Sequence, residues 1–149
     1  MEPAVLSNPV AWAAFAPLLA LVGSIINGLF GRSLREPLPG IIASAAVGLG
    51  FLLALIAFIT VLVEPGRALE LELWPFISLS EFQLPIGFVI DQLSLLLMLV
   101  ITGVGLLIHV YSLGYMQGDD GFSRYFSALN LFVAAMLVLV LADSYLLMF

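Results

Sequence analysis

Four long apolar stretches separated by short polar breaks set the layout of this chain, and the third stretch is the most informative. Wound as an α-helix at 3.6 residues per turn, residues 91–116 bring Asp91, Ser94, Thr102, Gly105, His109 and Ser112 onto one arc roughly 80° wide. The rest of that cylinder is dominated by Leu, Ile, Val and Met. A helix that is apolar all round except for one titratable line belongs in a membrane, with the line turned towards protein or water.

The first apolar stretch covers Pro9 to Phe30 and contains Pro17, which a membrane helix tolerates when neighbours satisfy the freed carbonyl. Ala16, Ala20, Ser24 and Gly28 recur every fourth residue, as do Gly40, Ser44 and Gly48 in the second span, about 40–63. Such small-residue faces predict close packing against other helices. Between these spans, Gly31-Arg32-Ser33-Leu34-Arg35-Glu36-Pro37 forms a charged turn. Within 64–87, Leu69-Glu70-Leu71-Glu72-Leu73 alternates with period two, and so does Ile77 to Leu84 with a slip at Ser80-Glu81. That pattern predicts a small hairpin lying on a membrane face, an irregular loop being the other reading.

The third span is expected over 88–116, with a turn at 117–121, and the fourth over 124–142 with Ser123 as its N-cap. Asp143 reads as the cap of a fifth helix, of which Ser144 to Phe149 supply about 9 Å. The expected fold is an all-α polytopic membrane protein, a single transmembrane region over 1–149. It has about four transmembrane helices, a truncated fifth over 143–149 and a small extracytoplasmic β-hairpin between the second and third.

Composition sharpens this. Of 149 residues, 63% are hydrophobic and 9% charged, against about a quarter charged in soluble domains. The formal charge of −6 sits in loops and gives no basis for a nucleic-acid partner. The absence of Cys removes disulfides, Cys-ligated zinc and iron–sulfur ligation. All basic residues are Arg: Arg32, Arg35 and Arg124 lie on one side and Arg67 on the other. The positive-inside rule then puts the Arg32 and Asp119 loops in the cytoplasm. The hairpin, with Glu64, Glu70, Glu72 and Glu81, and the N-terminus face outside. Met1-Glu2-Pro3 offers no basic region of a signal peptide, so the first span is expected to be retained.

His109 is the single histidine and the one side chain whose free pKa lies near neutrality. It shares its stripe with Thr102 and Ser112, which suits a proton or hydrogen-bond relay; the plainer reading is a structural histidine tied to a neighbouring helix. Asp91 lies 18 residues away, about 27 Å along a helix, so the two cannot pair. Asp91 is either an interfacial proton port or an N-cap carboxylate, with the cap favoured. Arg124 reads as a positive-inside anchor and Asp143 as a cap. Asn130, on a face with Ser127 and Ala134, is expected to hydrogen-bond between helices. Trp12, Tyr111 and Tyr115 suit interfacial belts. No phosphate-cradling glycine loop, nucleophile–base pair or metal-binding His/Cys cluster is legible. From the residues alone, a transporter, a structural subunit and an assembly factor all remain open.

Asp91-Gln92-Leu93-Ser94, Thr102 to His109, Tyr115-Met116 with Gly118-Asp119, Phe122 to Phe126, Asn130-Leu131-Phe132 and Leu139 to Asp143 follow one another in a familiar order. Together they resemble the N-terminal part of chain L, the largest antiporter-like membrane subunit of proton-pumping NADH:quinone oxidoreductase, respiratory complex I. The likeness is close over 88–149 and one of layout over 1–87. It implies a distal pump in a helical membrane arm, multi-pass in the cell inner (plasma) membrane beside other membrane-arm subunits and lipid. Partner subunits would handle NADH and quinone on flavin and iron–sulfur clusters, leaving no cofactor in this chain. Leu146-Leu147-Met148-Phe149 ends where the family continues into a fifth helix bearing its key glutamate, with lysine-bearing helices beyond. The chain is therefore expected to be an N-terminal fragment that does not pump alone. The resemblance makes Asp91, His109, Arg124 and Asp143 proton-path or supporting residues. The large subunit of multisubunit sodium/proton antiporters and a non-pumping scaffold are the alternatives.

Overall fold

The computed structural model describes residues 8–31, 33–63, 69–79 and 82–142, with the backbone alone for 69–79 and 82–87. Arg32, Arg67, the slip at Ser80-Glu81, Asp143 and the partial helix 143–149 lie outside the described residues.

The first span does not begin as an α-helix. Asn8 caps it by accepting from the Val10 N–H at 3.1 Å, and Pro9–Phe15 winds as a 3₁₀ helix before α1, Ala16–Phe30. Pro17 explains the change. It has no N–H for the Ala13 carbonyl, and in a continuous α-helix its ring would crowd that carbonyl. The Ala16 N–H donates to Ala13 instead, the three-residue step of a 3₁₀ turn.

Helix α2, Leu38–Val63, touches the 3₁₀ segment and all the other helices. It buries Gly40, Ala43, Val47, Gly50, Ala54, Ala57 and Val61. Steps of three and four alternate there, the 3.5-residue period that keeps one seam turned to its neighbours. The expected face at Gly40, Ser44 and Gly48 is thus corrected: a strict four-residue row inclines across the cylinder and runs off the seam. Ser44 and Gly48 are only half-buried.

Strands β1, Leu69–Leu79, and β2, Phe82–Ile90, pair antiparallel from Leu69 opposite Ile90 to Leu79 opposite Phe82. The register shifts between Glu72 and Trp74 and between Pro75 and Ile77. Pro75 faces Pro85 there, and neither brings an N–H to the ladder. Phe88–Ile90 belongs to β2, so helix α3 is Gln92–Tyr115 and starts four residues later than the span expected from Phe88. Hydropathy continues across that boundary, whereas the cap at Asp91 sets it.

Helix α4 is Phe122–Leu141, reached through a turn in which Gly118 adopts φ 83°, a conformation that favours glycine. Its N-cap is Gly121, not Ser123. Asp119 Oδ1 accepts from the Gly121 N–H at 2.6 Å, while the Ser123 hydroxyl leaves its own helix to donate to the Asn27 carbonyl at 2.8 Å. Glu36 accepts from the Gly118 N–H at 3.0 Å, so the α1–α2 and α3–α4 turns lie at the same end of the bundle.

All four helical spans are long and apolar enough to cross a membrane. Their core joins Val10, Ala20, Val47, Ala54, Leu95, Met98, Val133 and Leu137, with a second cluster of Ala43, Phe122 and Phe126 at the turn end.

Candidate functional site

The polar stripe of α3 faces inward. Ser94, Thr102, Gly105, His109 and Ser112 are buried, while Leu93, Leu96, Val100, Val104 and Leu107 are exposed on the other side.

His109 is 0% exposed and fully engaged. Its Nδ1 lies 2.7 Å from the Gly105 carbonyl one turn back, and its Nε2 lies 2.8 Å from Asn130 Oδ1 on α4. A carbonyl only accepts, so Nδ1 carries a proton and donates it. The Phe126 ring, 5.9 Å away between centroids, closes one flank. Val100, Val104, Leu129, Phe132 and Met136 line an apolar cleft of about 270 Å³ on another. One turn further along α3, Ser112 Oγ lies 3.1 Å from the Tyr125 hydroxyl.

Asn130 lies between His109 of α3 on one side and α1 on the other. Gly23 of α1 faces the carboxamide so tightly that a Cβ there would collide with Asn130 Nδ2. Ser24 and Ser127 bond one turn further along, and Asn27 and Ser123 beyond them. Asn27 Nδ2 also donates to the Pro39 carbonyl at 2.8 Å, joining α1 to α2. Among the described residues, Asn27 Oδ1 and Asn130 Nδ2 are buried without a hydrogen-bond partner.

The other expected residues fall as follows. Asp91 is a capping residue by geometry: its Oδ1 accepts from the Ser94 N–H at 2.7 Å, and Ser94 Oγ accepts from the Asp91 N–H at 2.9 Å. That reciprocal box satisfies two of the first-turn donors. Thr102 is buried, yet its hydroxyl donates within α3 to the Met98 carbonyl at 2.6 Å and does not reach another helix. Among apolar neighbours a threonine finds its acceptor four residues back, and this breaks the continuity expected of a relay along the stripe. Arg124 is exposed in the first turn of α4. It borders an open cleft of about 710 Å³ with Glu36, Asp119, Asp120 and Asn27. Asp143 lies outside the described residues. Asn27 is not among the residues that the sequence reading names, while Ser24 enters it only as part of a small-residue packing face and Tyr125 only within the Phe122 to Phe126 run. The signal for Asn27 was a strong polar residue inside an apolar span, which defaults to a buried bond. Among the described residues no group of three or more His, Cys, Asp or Glu could hold a metal.

This arrangement is one ionisable ring, buried, held at both nitrogens by neutral groups and oriented by two helices. It can keep an imidazole in a defined tautomer or bind a single proton.

Residues 74–126, which include β2 and all of α3 with His109 but not Asn130, match the family described as NADH-ubiquinone oxidoreductase (complex I), chain 5 N-terminus. NADH-quinone oxidoreductase subunit L of Escherichia coli is 36% identical over 136 residues, 91% of this chain and 22% of that protein. Subunit L of Rickettsia bellii is 39% identical over 132 residues, 89% of this chain and 20% of that protein. The chain is a homologue of the N-terminal part of subunit L. It spans about a fifth of the length of these relatives. Subunit L of Buchnera aphidicola is 46% identical over 91 residues, 61% of this chain and 15% of that protein.

Proposed function

We propose that this chain forms the N-terminal helical bundle of a proton-translocating membrane subunit of NADH:quinone oxidoreductase, with His109 as its proton-holding group. The observation that carries this reading is the buried His109–Asn130 pair, of which His109 lies within the stretch matching the complex I chain 5 N-terminus family. His109 takes a proton at Nε2 and releases it there, while the Gly105 carbonyl keeps Nδ1–H in place. Asp91 supports the path by fixing the start of α3, and Arg124 by setting charge in the first turn of α4, with Asp143, outside the described residues, as a further supporting residue. Ser127 and Asn130 hold α4 against its neighbours, and Thr102 packs in the core of α3. Electron transfer from NADH to quinone belongs to partner subunits with flavin and iron–sulfur clusters, against whose membrane arm this bundle packs.

The finer layout is part of the same proposal. The loops at Glu36 and Gly118 share an end, and the arginines assign that end to the cytoplasm. The N-terminus and a hairpin built from β1 and β2 then lie outside the cell inner (plasma) membrane. Pumping is expected only from a subunit of the relatives' full length, whose further helices carry the key glutamate and lysines.

The test is His109→Ala in a full-length subunit, within the assembled complex in membrane vesicles. NADH-driven proton uptake falls severalfold while NADH oxidation continues. Unchanged uptake removes His109 from the path, and sodium-dependent exchange without NADH assigns the chain to the antiporters instead.

A further inference from the structure

Each nitrogen of His109 faces an oxygen, and the two oxygens differ in kind. The Gly105 carbonyl is fixed in the backbone and can only accept. The Asn130 carboxamide has an acceptor at one corner and a donor of nearly the same size at the other, exchanged by a half-turn about its last side-chain bond. With the oxygen inward, a bond across that 2.8 Å contact has Nε2 donating as well, and the ring of that setting is an imidazolium. With the nitrogen inward, Asn130 donates to a bare Nε2 and the ring is neutral, protonated on Nδ1 alone.

Among the described residues no charged group is placed to compensate that imidazolium. Among the described residues, α1 and α2 contain no charged side chain. On α3 the other titratable side chains are Tyr111 and Tyr115, both 71% exposed. On α4 they are Arg124, exposed at the helix start, and Tyr125, engaged with Ser112. The one polar neighbour able to adapt to the charge of the ring is therefore Asn130. Its outer corner lies against Gly23, where no side chain competes and no partner fixes which atom sits there. Asn27 makes the contrast. Its nitrogen donates to the Pro39 carbonyl, and turning that amide would set oxygen against oxygen, so Asn27 has a single setting.

We propose that Asn130 is a positioning residue whose carboxamide turns by a half-turn when His109 gains or loses a proton, oxygen inward for the imidazolium and nitrogen inward for the neutral ring. This rests on the reading of His109 as a group that takes up and releases a proton. The rotor allows a buried ring to change charge without a carboxylate partner, and it makes the amide of α4 report the state of α3.

The sole histidine makes the test direct. The chain, labelled with ¹⁵N at His109 and at the asparagine side chains, is reconstituted in lipid bilayers and followed by solid-state NMR across pH. At low pH both ring nitrogens are expected to be protonated. At high pH Nδ1 keeps its proton and Nε2 becomes an acceptor, and the Asn130 amide nitrogen shifts in step because it has gained a hydrogen bond. Asn130→Asp, which can only accept, is expected to keep the ring doubly protonated at a pH where the parent chain shows the neutral ring. A neutral ring protonated on Nε2, or an Asn130 signal that does not move while the ring titrates, overturns the rotor. These spectra of the parent chain decide the matter even if the variant fails to fold. Unchanged proton uptake in His109→Ala would defeat the pumping role and leave the spectra as they are; a ring that never titrates defeats both.

Discussion

Ser24 on α1 and Ser127 on α4 each donate a hydroxyl hydrogen bond to the other's backbone carbonyl, both at 2.8 Å. The reciprocity needs residues small enough for the two backbones to approach, and it seals the α1–α4 seam about one turn from Asn27 on α1 and one turn from Asn130 on α4. In membranes such interhelical bonds are worth about 0.6 kcal/mol on average.

Because each hydroxyl has its own acceptor, Ser24→Ala and Ser127→Ala are expected to be nearly additive. Each costs about 0.6 kcal/mol, with a coupling below about 0.5 kcal/mol from the 3.3 Å contact between the two oxygens. A double-mutant cycle on reversible unfolding in micelles or bicelles measures this; a coupling above 1 kcal/mol would mean that the two bonds form only as a unit.

At Asp91 the cap and the charge can be separated. Asp91→Ala is expected to lose about 1 kcal/mol, the usual worth of an N-cap, while Asp91→Asn keeps the oxygen that receives the Ser94 N–H. If Asp91 acts through the cap, proton uptake by the assembled complex survives in Asp91→Asn and declines in Asp91→Ala. Loss of uptake in Asp91→Asn with an intact helix would instead assign the carboxylate to the proton path.

Gly40 and Gly48 behave differently despite sharing one sequence spacing. A Cβ at Gly40 would clash with Leu113 and lie 3.1 Å from both the Phe122 and Phe126 rings, whereas at Gly48 its nearest neighbour is Leu106 at 3.6 Å. Gly40→Ala is expected to cost about 1–3 kcal/mol through overpacking. Gly48→Ala is expected to be neutral or slightly stabilising, since Ala is the better helix former. Equal effects in an unfolding titration would refute the seam as described.

Asn130→Ala strips the partner from a buried ring nitrogen, which costs about 1–3 kcal/mol. Ser127→Ala on the same face loses far less, because its partner Ser24 keeps a bond of its own. The order Asn130 above Ser127 in the same unfolding assay is the check.

What the sequence revealed and what it hid divide along physical lines. The stripe from Ser94 to Ser112 was legible because one face of an apolar helix carried everything polar, and that face is the buried one. Asn130 was legible as a bond between helices, since an amide inside an apolar span has few other fates. The partner of His109 was not, because it depends on which helix stands beside which. Thr102 sits on the predicted arc yet bonds within its own helix, a choice that periodicity cannot foresee. Ser123 has the composition of an N-cap, but the Asn27 carbonyl competes for its hydroxyl and Gly121 takes the cap. Pro17 signalled trouble in the first span without saying that the turns before it would tighten.

Among the described residues of the four helices, only His109 has a side chain of the type whose ordinary pKa lies near neutrality. This bundle therefore has the capacity of a single seat, vacant or occupied. In the role proposed for it, proton traffic proceeds by turnover, each arrival waiting for the previous passenger to leave.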